Sequence, residues 1–307
     1  MSSLGSAGST TTVPGSATAT SPELRRSLRN GRSLANAVLS FMAIVMTLLA
    51  GLPLLSLIYM VIVRGGEKLR PELLFELPPA AGMPGGGIGN ALAGSALMVA
   101  IASAIAIPIG ISAAIYIAEF APESRLSAAT RFAAKVLTGI PSILAGVFAY
   151  AVIVLTMGKF SAWAGGFALA ILMIPTVLLT AADAIRGVPA RMREAAIGMG
   201  ATRFQVVSNV VLPTAMPVLL TGVMLAIARV AGETAPLIFT ALFFDYWPHA
   251  PFVEPTASLP VLIYNFSGVP YPEQIGMAWA ASLVLVIFVL IANLTGQFVL
   301  NRARSIR

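Results

Sequence analysis

Two ionisable residues, Arg229 and Glu233, lie inside a stretch of the chain that is otherwise apolar, IARVAGETAPLIF. A charge is expensive in such surroundings unless a partner neutralises it. On an α-helix, residues four apart share one face, so the two side chains are expected to pair. Arginine also suits an oxyanion, because its planar guanidinium donates two parallel hydrogen bonds. Two interpretations stay open: the pair only fixes helix packing, or Arg229 faces a pathway for an anion and Glu233 holds it in place.

Composition excludes most other chemistry and indicates a membrane protein. The chain has 307 residues and no cysteine, which excludes thiol nucleophiles and disulfides, and its single histidine, His249, leaves little for histidine-based metal sites. No G-x-x-x-x-G-K-[ST] sequence occurs, so no nucleotide site is expected. Charged residues make up 10% of the chain and hydrophobic residues 58%. A soluble globular protein cannot bury that much apolar surface away from water. We therefore expect an all-α polytopic membrane protein.

Long runs without charge predict the membrane spans, since a helix needs about 20 apolar residues to cross the hydrocarbon. Six spans are expected: 34–63, 91–118, 136–158, 161–182, 214–242 and 275–300. The midpoint of the fifth span is residue 228, which places Arg229 near the middle of the membrane. A charge there costs at least ~2.5–3.5 kcal/mol. The uncharged stretch 255–272 is interrupted by four prolines and is expected to be an outer loop with a short interfacial helix, a re-entrant segment being the alternative.

Basic residues predict the orientation of the spans, because cytoplasmic loops are enriched in Lys and Arg. With both termini in the cytoplasm, fourteen of the 19 Lys and Arg residues fall on that side and four fall outside. Residues 1–33, rich in Ser, Thr, Ala and Gly, are expected to be a disordered basic tail. The membrane domain is then 34–301, and residues 302–307 form a second cytoplasmic tail.

The sequence of the loop between the fourth and fifth spans predicts two short helices. Gly198 and Gly200 can end the first helix through a left-handed residue. Thr202 and Gln205 form a capping-box pattern that opens the second, and Pro213 predicts the next break. From composition alone, a basic hairpin lying on anionic lipid is an equal alternative to a protein-binding loop.

This loop, residues 183–213, resembles the EAA loop of ABC importer permeases. The resemblance rests on seven residues at the family's spacing, with valine in place of the family's isoleucine at one of them. They are Glu194, Ala195, Ala196, Gly200, Val210, Leu212 and Pro213. In that family the loop forms the coupling helices that sit in a cleft of the ATPase subunit. The resemblance therefore implies that these residues couple the chain to a separate ATPase.

The fifth span resembles the signature of PstA-type permeases of phosphate importers, through the sequence ARVAGETAPL from Ala228 to Leu237. This resemblance implies that Arg229 and Glu233 act in phosphate passage. The sequence GIPSI at the start of the third span also agrees, and makes Gly139 and Pro141 candidates for shaping a gate. Taken alone, Pro141 is a helix-start signal.

The two resemblances imply the architecture of a type I ABC importer permease, with cytoplasmic termini, in the inner membrane of a prokaryote. They also imply a second, related permease that forms a heterodimer with this chain, two ATPase subunits that bind ATP and Mg²⁺, and an extracytoplasmic phosphate-binding protein. The chain itself is expected to contact lipid, to bind no cofactor, metal or nucleic acid, and not to be an enzyme. The alternatives are a permease for another oxyanion (sulfate, molybdate or phosphonate), a secondary anion transporter or channel, and a membrane-embedded enzyme.

Overall fold

The computed structural model describes the backbone of residues 31–305 and the side chains of residues 35–298. Residues 1–30, with most of the predicted N-terminal tail, and the last two residues of the predicted C-terminal tail lie outside it. The described chain is helical, with no strand. Its helices, taken with the π-helical turns that continue them, are α1 Gly31–Glu67, α2 Gly89–Phe120, α3 Arg125–Gly139, α4 Ser142–Met157, α5 Ala162–Arg186, α6 Ala190–Gly198, α7 Arg203–Ala231, α8 Ala235–Thr240, α9 Leu259–Ser267 and α10 Pro272–Ser305.

Five of these helices, α1, α2, α5, α7 and α10, are long and apolar enough to cross a membrane. A sixth span is present if α3 and α4, which are bent by 103° relative to each other, are counted together. Many large apolar side chains are exposed, as lipid contact requires. The predicted all-α membrane fold is thereby confirmed. The predicted spans 34–63, 91–118, 161–182 and 275–300 agree with α1, α2, α5 and α10 to within five residues at each end.

The chain divides at residue 56 into two compact units. The described part of the first unit, residues 31–56, is the N-terminal part of α1 and continues through Pro53 without a break. Nearly all of its side chains from Ala35 onward are exposed. A helix that is apolar on all sides is typical of a membrane span.

The core of the second unit is formed where α2 packs along α5. Glycines bring the two backbones close together: a Cβ added to Gly110 would lie 2.8 Å from Val177 Cγ1, and one added to Gly166 would lie 2.5 Å from Ile101 Cγ2. Small residues at helix interfaces permit this approach in membrane proteins, where packing drives helix association.

Helix α5 also packs against α7, and the two helices run antiparallel. Near one end of α5, a Cβ on Gly222 of α7 would lie 2.6 Å from Thr180 Oγ1. Near the other end, a Cβ on Gly165 would lie 3.2 Å from Leu237 Cδ2, six residues beyond the end of α7. Positions along α7 can therefore be matched to positions along α5.

The predicted break at Pro213 is wrong, because α7 begins at Arg203 in the loop and continues through Pro213 to Ala231. The helix passes through Val207–Val211 as a π-helical turn. Local adjustments of this kind let a helix accommodate a proline, which has no N–H to donate. The loop therefore contains one separate short helix, α6, and its second predicted helix is the beginning of the fifth span.

The predicted third span, 136–158, is corrected at its first residues, because α4 begins only at Ser142. Ile140 is extended, with φ −73° and ψ 136°. A residue before a proline avoids the helical region, because the proline ring crowds its backbone. The Ile140–Pro141 pair thus ends α3 and produces the sharp bend to α4.

The connection between α8 and α10 contains the expected short helix, α9, and one face of that helix is buried. Leu259 and Leu262 are 0% exposed. The Leu259 N–H donates a hydrogen bond of 2.8 Å to Ser95 Oγ, which lies six residues into α2. Helix α9 thus packs against α2 and α10, and its predicted place at the membrane interface stays a prediction, as does the re-entrant alternative.

Candidate functional site

Arg229 lies just before the end of α7 in the chain, and Glu233 lies just after it. The helix ends at Ala231, eleven residues before the predicted span end at residue 242, and Gly232 caps it. Arg229 is in the last turn, where the partial negative charge of a helix C-terminus favours a cation. Glu233 lies beyond the helix, in the three-residue connection to α8.

The predicted ion pair between Arg229 and Glu233 is not formed: in the described part of the chain no nitrogen–oxygen contact within 4.0 Å joins them. Residues four apart share a face only inside a continuous helix, and the chain leaves the helix after Ala231. Arg229 is exposed and Glu233 is half-buried. The interpretation that the pair only fixes helix packing therefore loses the contact on which it depends.

Arg229 nevertheless lies level with the middle of helix α5. It is seven residues beyond Gly222 along α7, a distance of about 10 Å. Because α5 is antiparallel and Gly222 meets Thr180, the same distance along α5 reaches Met173. Met173 is eleven residues after the start of α5 and thirteen before its end. Arg229 is therefore level with the middle of α5, and the depth predicted for it in a membrane stays a prediction.

Arg229 ends a line of exposed residues along one face of α7. The residues are three or four apart and are Thr214, Val218, Thr221, Leu225 and Arg229. The opposite face of the helix is buried against the rest of the chain. Within the described residues no three His, Asp or Glu side chains are grouped as metal ligands. The guanidinium of Arg229 is thus level with the middle of α5, on a face of α7 that the described part of the chain leaves exposed.

Gly139 and Pro141, the predicted gate residues, flank the bend between α3 and α4. Both are exposed, and a Cβ added to Gly139 would meet no atom within 4 Å. The close contact is instead at Gly146, where an added Cβ would lie 2.6 Å from Pro236 Cα. Here α4 crosses α8, directly after the interruption of the fifth span. Sequence analysis did not assign Gly146 to the site, because a glycine within a helix gives no sign of what it faces.

Three of the EAA-like residues, Glu194, Ala195 and Ala196, lie on α6, and they fall on two different faces of that helix. Glu194 and Ala195 are exposed. Ala196 is only 4% exposed and packs in the chain's own hydrophobic core. Two of the three residues are thus accessible to another protein, whereas the third fits α6 closely onto its own chain.

Gly200 ends α6 in the left-handed conformation that its position predicts. Its φ is +87°. The Gly200 N–H donates to the Ile197 carbonyl at 2.9 Å, and the Ala201 N–H donates to the Ala196 carbonyl at 3.1 Å. These two bonds define a Schellman motif, in which glycine is favoured because it has no Cβ. The chain can therefore turn sharply between α6 and α7.

The remaining EAA-like residues lie near the beginning of α7. The predicted capping box is formed: the Thr202 N–H donates to Gln205 Oε1 at 2.8 Å, and the Gln205 N–H donates to Thr202 Oγ1 at 3.3 Å. Val210, Leu212 and Pro213 are half-buried, and the first two pack against the main core. These residues shape the start of α7 and expose less of their surface than Glu194 does.

Three large apolar side chains surround the exposed half of the loop. Ile197 is 56% exposed, Met199 84% and Phe204 71%. Together with the exposed Glu194 and Ala195 they form a surface that we call the loop surface. Exposed apolar side chains beside charged ones are typical of an interaction site.

Comparisons with known proteins agree with this architecture. A family model described as "Binding-protein-dependent transport system inner membrane component" matches residues 106–305. The phosphate transport system permease protein PstA of Yersinia pestis is 36% identical over 286 residues, covering 93% of this chain and 97% of that protein. The corresponding protein of Pasteurella multocida is 40% identical over 238 residues, covering 78% and 84%.

The fold is shared with a solved structure. The MetNI methionine ABC transporter in an inward-facing conformation superimposes with a TM-score of 0.57 at 20% identity, covering 71% of this chain and 94% of that one. At this identity the likeness shows the fold alone, and the family assignment rests on the sequence matches. The chain therefore belongs to the family of binding-protein-dependent transport system inner membrane components, and within that family to the PstA-type permeases.

Proposed function

We propose that this chain is the membrane-spanning permease subunit of an ATP-driven importer of inorganic phosphate. Relatives that align over most of the chain are named phosphate transport system permease proteins. The observation that carries the mechanism is the continuity of α7, which joins the loop at Arg203 to Arg229 in one helix. These residues are 26 positions apart, or about 39 Å. A displacement of the loop is thereby transmitted to the charged residue along a helix that has no break.

Arg229 is the residue proposed to bind phosphate in transit. Its guanidinium is exposed at mid-depth, and two parallel N–H donors match two oxygens of the anion. Glu233 follows on the non-helical connection, where its carboxylate can compete with the anion for Arg229. That competition keeps binding weak enough for release.

ATP hydrolysis supplies the energy that uptake of this anion requires. Moving one negative charge inward against 100 mV costs ~2.3 kcal/mol, and phosphate carries one to two charges. Because the sequence has no P-loop, we place ATP and Mg²⁺ on two separate ATPase subunits that dock on the loop surface. Closure of the ATPases would then switch the permease between two states of access.

The remaining partners in this proposal are those that the resemblance to PstA-type permeases implies, and the positive-inside rule supports their orientation. A second, related permease would form a heterodimer with this chain and cover the exposed face of α7. The termini and the loop surface would lie in the cytoplasm. An extracytoplasmic phosphate-binding protein would deliver the anion on the other side.

Radiolabelled phosphate uptake tests the proposal in a strain that lacks its own permease of this type. The chain, expressed there with its partner subunits, should restore uptake that depends on ATP. Excess unlabelled phosphate should abolish the signal, whereas sulfate, molybdate and phosphonate should leave it intact. If one of those anions competes better than phosphate, the substrate is that oxyanion. Uptake by the chain without an ATPase would instead identify a secondary transporter.

A further inference from the structure

One arginine of α6 faces inward and not towards the loop surface. Arg193 precedes the exposed Glu194, and its side chain is only 22% exposed. It lies three residues before the buried Ala196, and residues three apart share a helix face. Arg193 is therefore on the side of α6 that packs against the chain itself.

The guanidinium of Arg193 holds the carboxylate of Glu119, which lies 74 residues earlier in the π-helical turn that ends α2. Arg193 Nη2 donates to Glu119 Oε1 at 2.7 Å, and Nε donates to Oε1 at 3.1 Å and to Oε2 at 3.3 Å. The Glu119 side chain is 11% exposed. In the described part of the chain, this carboxylate makes no other ion pair or side-chain hydrogen bond.

The same guanidinium also holds the end of α5. Nη2 donates to the carbonyl of Ile185 at 2.8 Å, and Nη1 donates to the carbonyl of Val188. The last carbonyls of a helix have no partner inside the helix, so they accept from other groups. One side chain thus joins three elements: α6, the end of α2 and the end of α5.

The end of α2 is held by a second arginine as well. Arg131 of α3 donates from Nη1 to the carbonyl of Ile117 at 3.0 Å, within the same π-helical turn as Glu119. The turn is therefore a meeting point of α2, α3 and α6. A force applied to α6 reaches α2 and α5 through Arg193, in addition to reaching α7 through Gly200.

We infer that Arg193 is a positioning residue for coupling: through its bonds to Glu119 and the Ile185 carbonyl it makes α6 move as one body with the ends of α2 and α5. This inference rests on the proposed function, in which an ATPase moves α6. Without the clamp, an ATPase would still dock on Glu194 and Ala195, but its movement would be taken up by rotation of α6. Hydrolysis would continue and transport would fail.

The test is the number of phosphate ions accumulated per ATP hydrolysed by the complete transporter in proteoliposomes. Arg193→Gln and Glu119→Gln should each lower this ratio at least tenfold while the ATPase subunits still co-purify. Arg193→Lys should fall between these variants and the unmodified chain, because one ammonium cannot reach the carboxylate and both carbonyls together. Arg191→Gln is the matched control, since Arg191 is on the same helix but exposed, and should leave the ratio unchanged.

A double variant tests whether Arg193 and Glu119 act through their contact, whereas retention of the ATPase at a lowered ratio separates coupling from a merely structural role. The change caused by Arg193→Gln together with Glu119→Gln should be smaller than the product of the two single changes, because the first substitution already breaks the contact. The inference is overturned if Arg193→Gln matches Arg191→Gln, if the two single changes multiply, or if the ATPase is lost from every variant. Failure of the proposed function would appear separately, as an unmodified complex that does not accumulate phosphate.

Discussion

Arg229 shows what residue types and spacing can predict about a membrane site. An arginine and a glutamate in an apolar run predicted a functional position, and the packing of α5 against α7 places Arg229 level with the middle of α5. The partner of Arg229 was predicted wrongly, because the pairing rule assumes a helix that continues through Glu233. The helix ends at Ala231 instead. Gly200 was predicted better, since its left-handed conformation depends only on local backbone geometry.

Replacing Arg229 should abolish transport without preventing insertion of the chain. We expect Arg229→Gln to lower phosphate uptake at least tenfold, which corresponds to about 1.4 kcal/mol or more of lost interaction with the anion. Arg229→Lys should retain part of the activity, because it keeps the charge but loses the fork of two donors. Radiolabelled uptake at equal membrane levels of each variant measures both effects. The control is Arg125→Gln, an exposed arginine on α3, and uptake by Arg229→Gln equal to that of this control would refute the pathway role.

Gly200 should be required for the shape of the loop surface. A Cβ in the left-handed region costs about 1–2 kcal/mol, so Gly200→Ala should shift the end of α6 and reduce recovery of the ATPase subunits with the purified chain. Gly198→Ala is the matched control, because Gly198 is helical and an added Cβ would meet no atom within 4 Å. Quantitative co-purification distinguishes the two. Equal recovery with both variants would show that the turn does not position the docking residues.

At the scale of elements, the long apolar helices could be predicted and their interruptions could not. Four spans were placed to within five residues, because hydrophobic length alone defines them. The prolines were harder to interpret. Pro141 directly precedes the start of α4, as its helix-start signal predicts, whereas α7 continues through Pro213, where a break was predicted. Whether a helix continues past a proline depends on a π-helical turn or a neighbouring helix that makes up for the absent N–H donor. Neither can be seen in the local sequence.

The crossing of α4 and α8 at Gly146 should tolerate no side chain. An added Cβ would lie 2.6 Å from Pro236 Cα, so the backbones must separate. Overpacking of this kind typically costs about 1–3 kcal/mol. We expect Gly146→Ala to lower the midpoint of thermal unfolding in detergent and to reduce uptake. Gly66→Ala, at a helical glycine with open space around it, serves as the control, and identical melting of both variants would contradict the close contact.

At the scale of the whole molecule, the chain is a membrane-spanning permease of the PstA type, for which we propose separate ATPase subunits. Composition alone identified an integral membrane protein. The structure adds two open surfaces, the exposed face of α7 and the loop surface, whose positions on the bundle no local pattern could reveal. The contact between Arg193 and Glu119 was equally hidden, since the two residues are 74 positions apart. The proposed coupling of this permease to a separate ATPase depends on these features.

The most direct test of that claim is phosphate accumulation in proteoliposomes that contain the chain, its partner permease, the ATPase subunits and the phosphate-binding protein. Accumulation should require ATP and should cease when the ATPase subunits are omitted, although the membrane-spanning subunits remain. Phosphate accumulation that continues without ATP, or by the chain alone, would contradict the account.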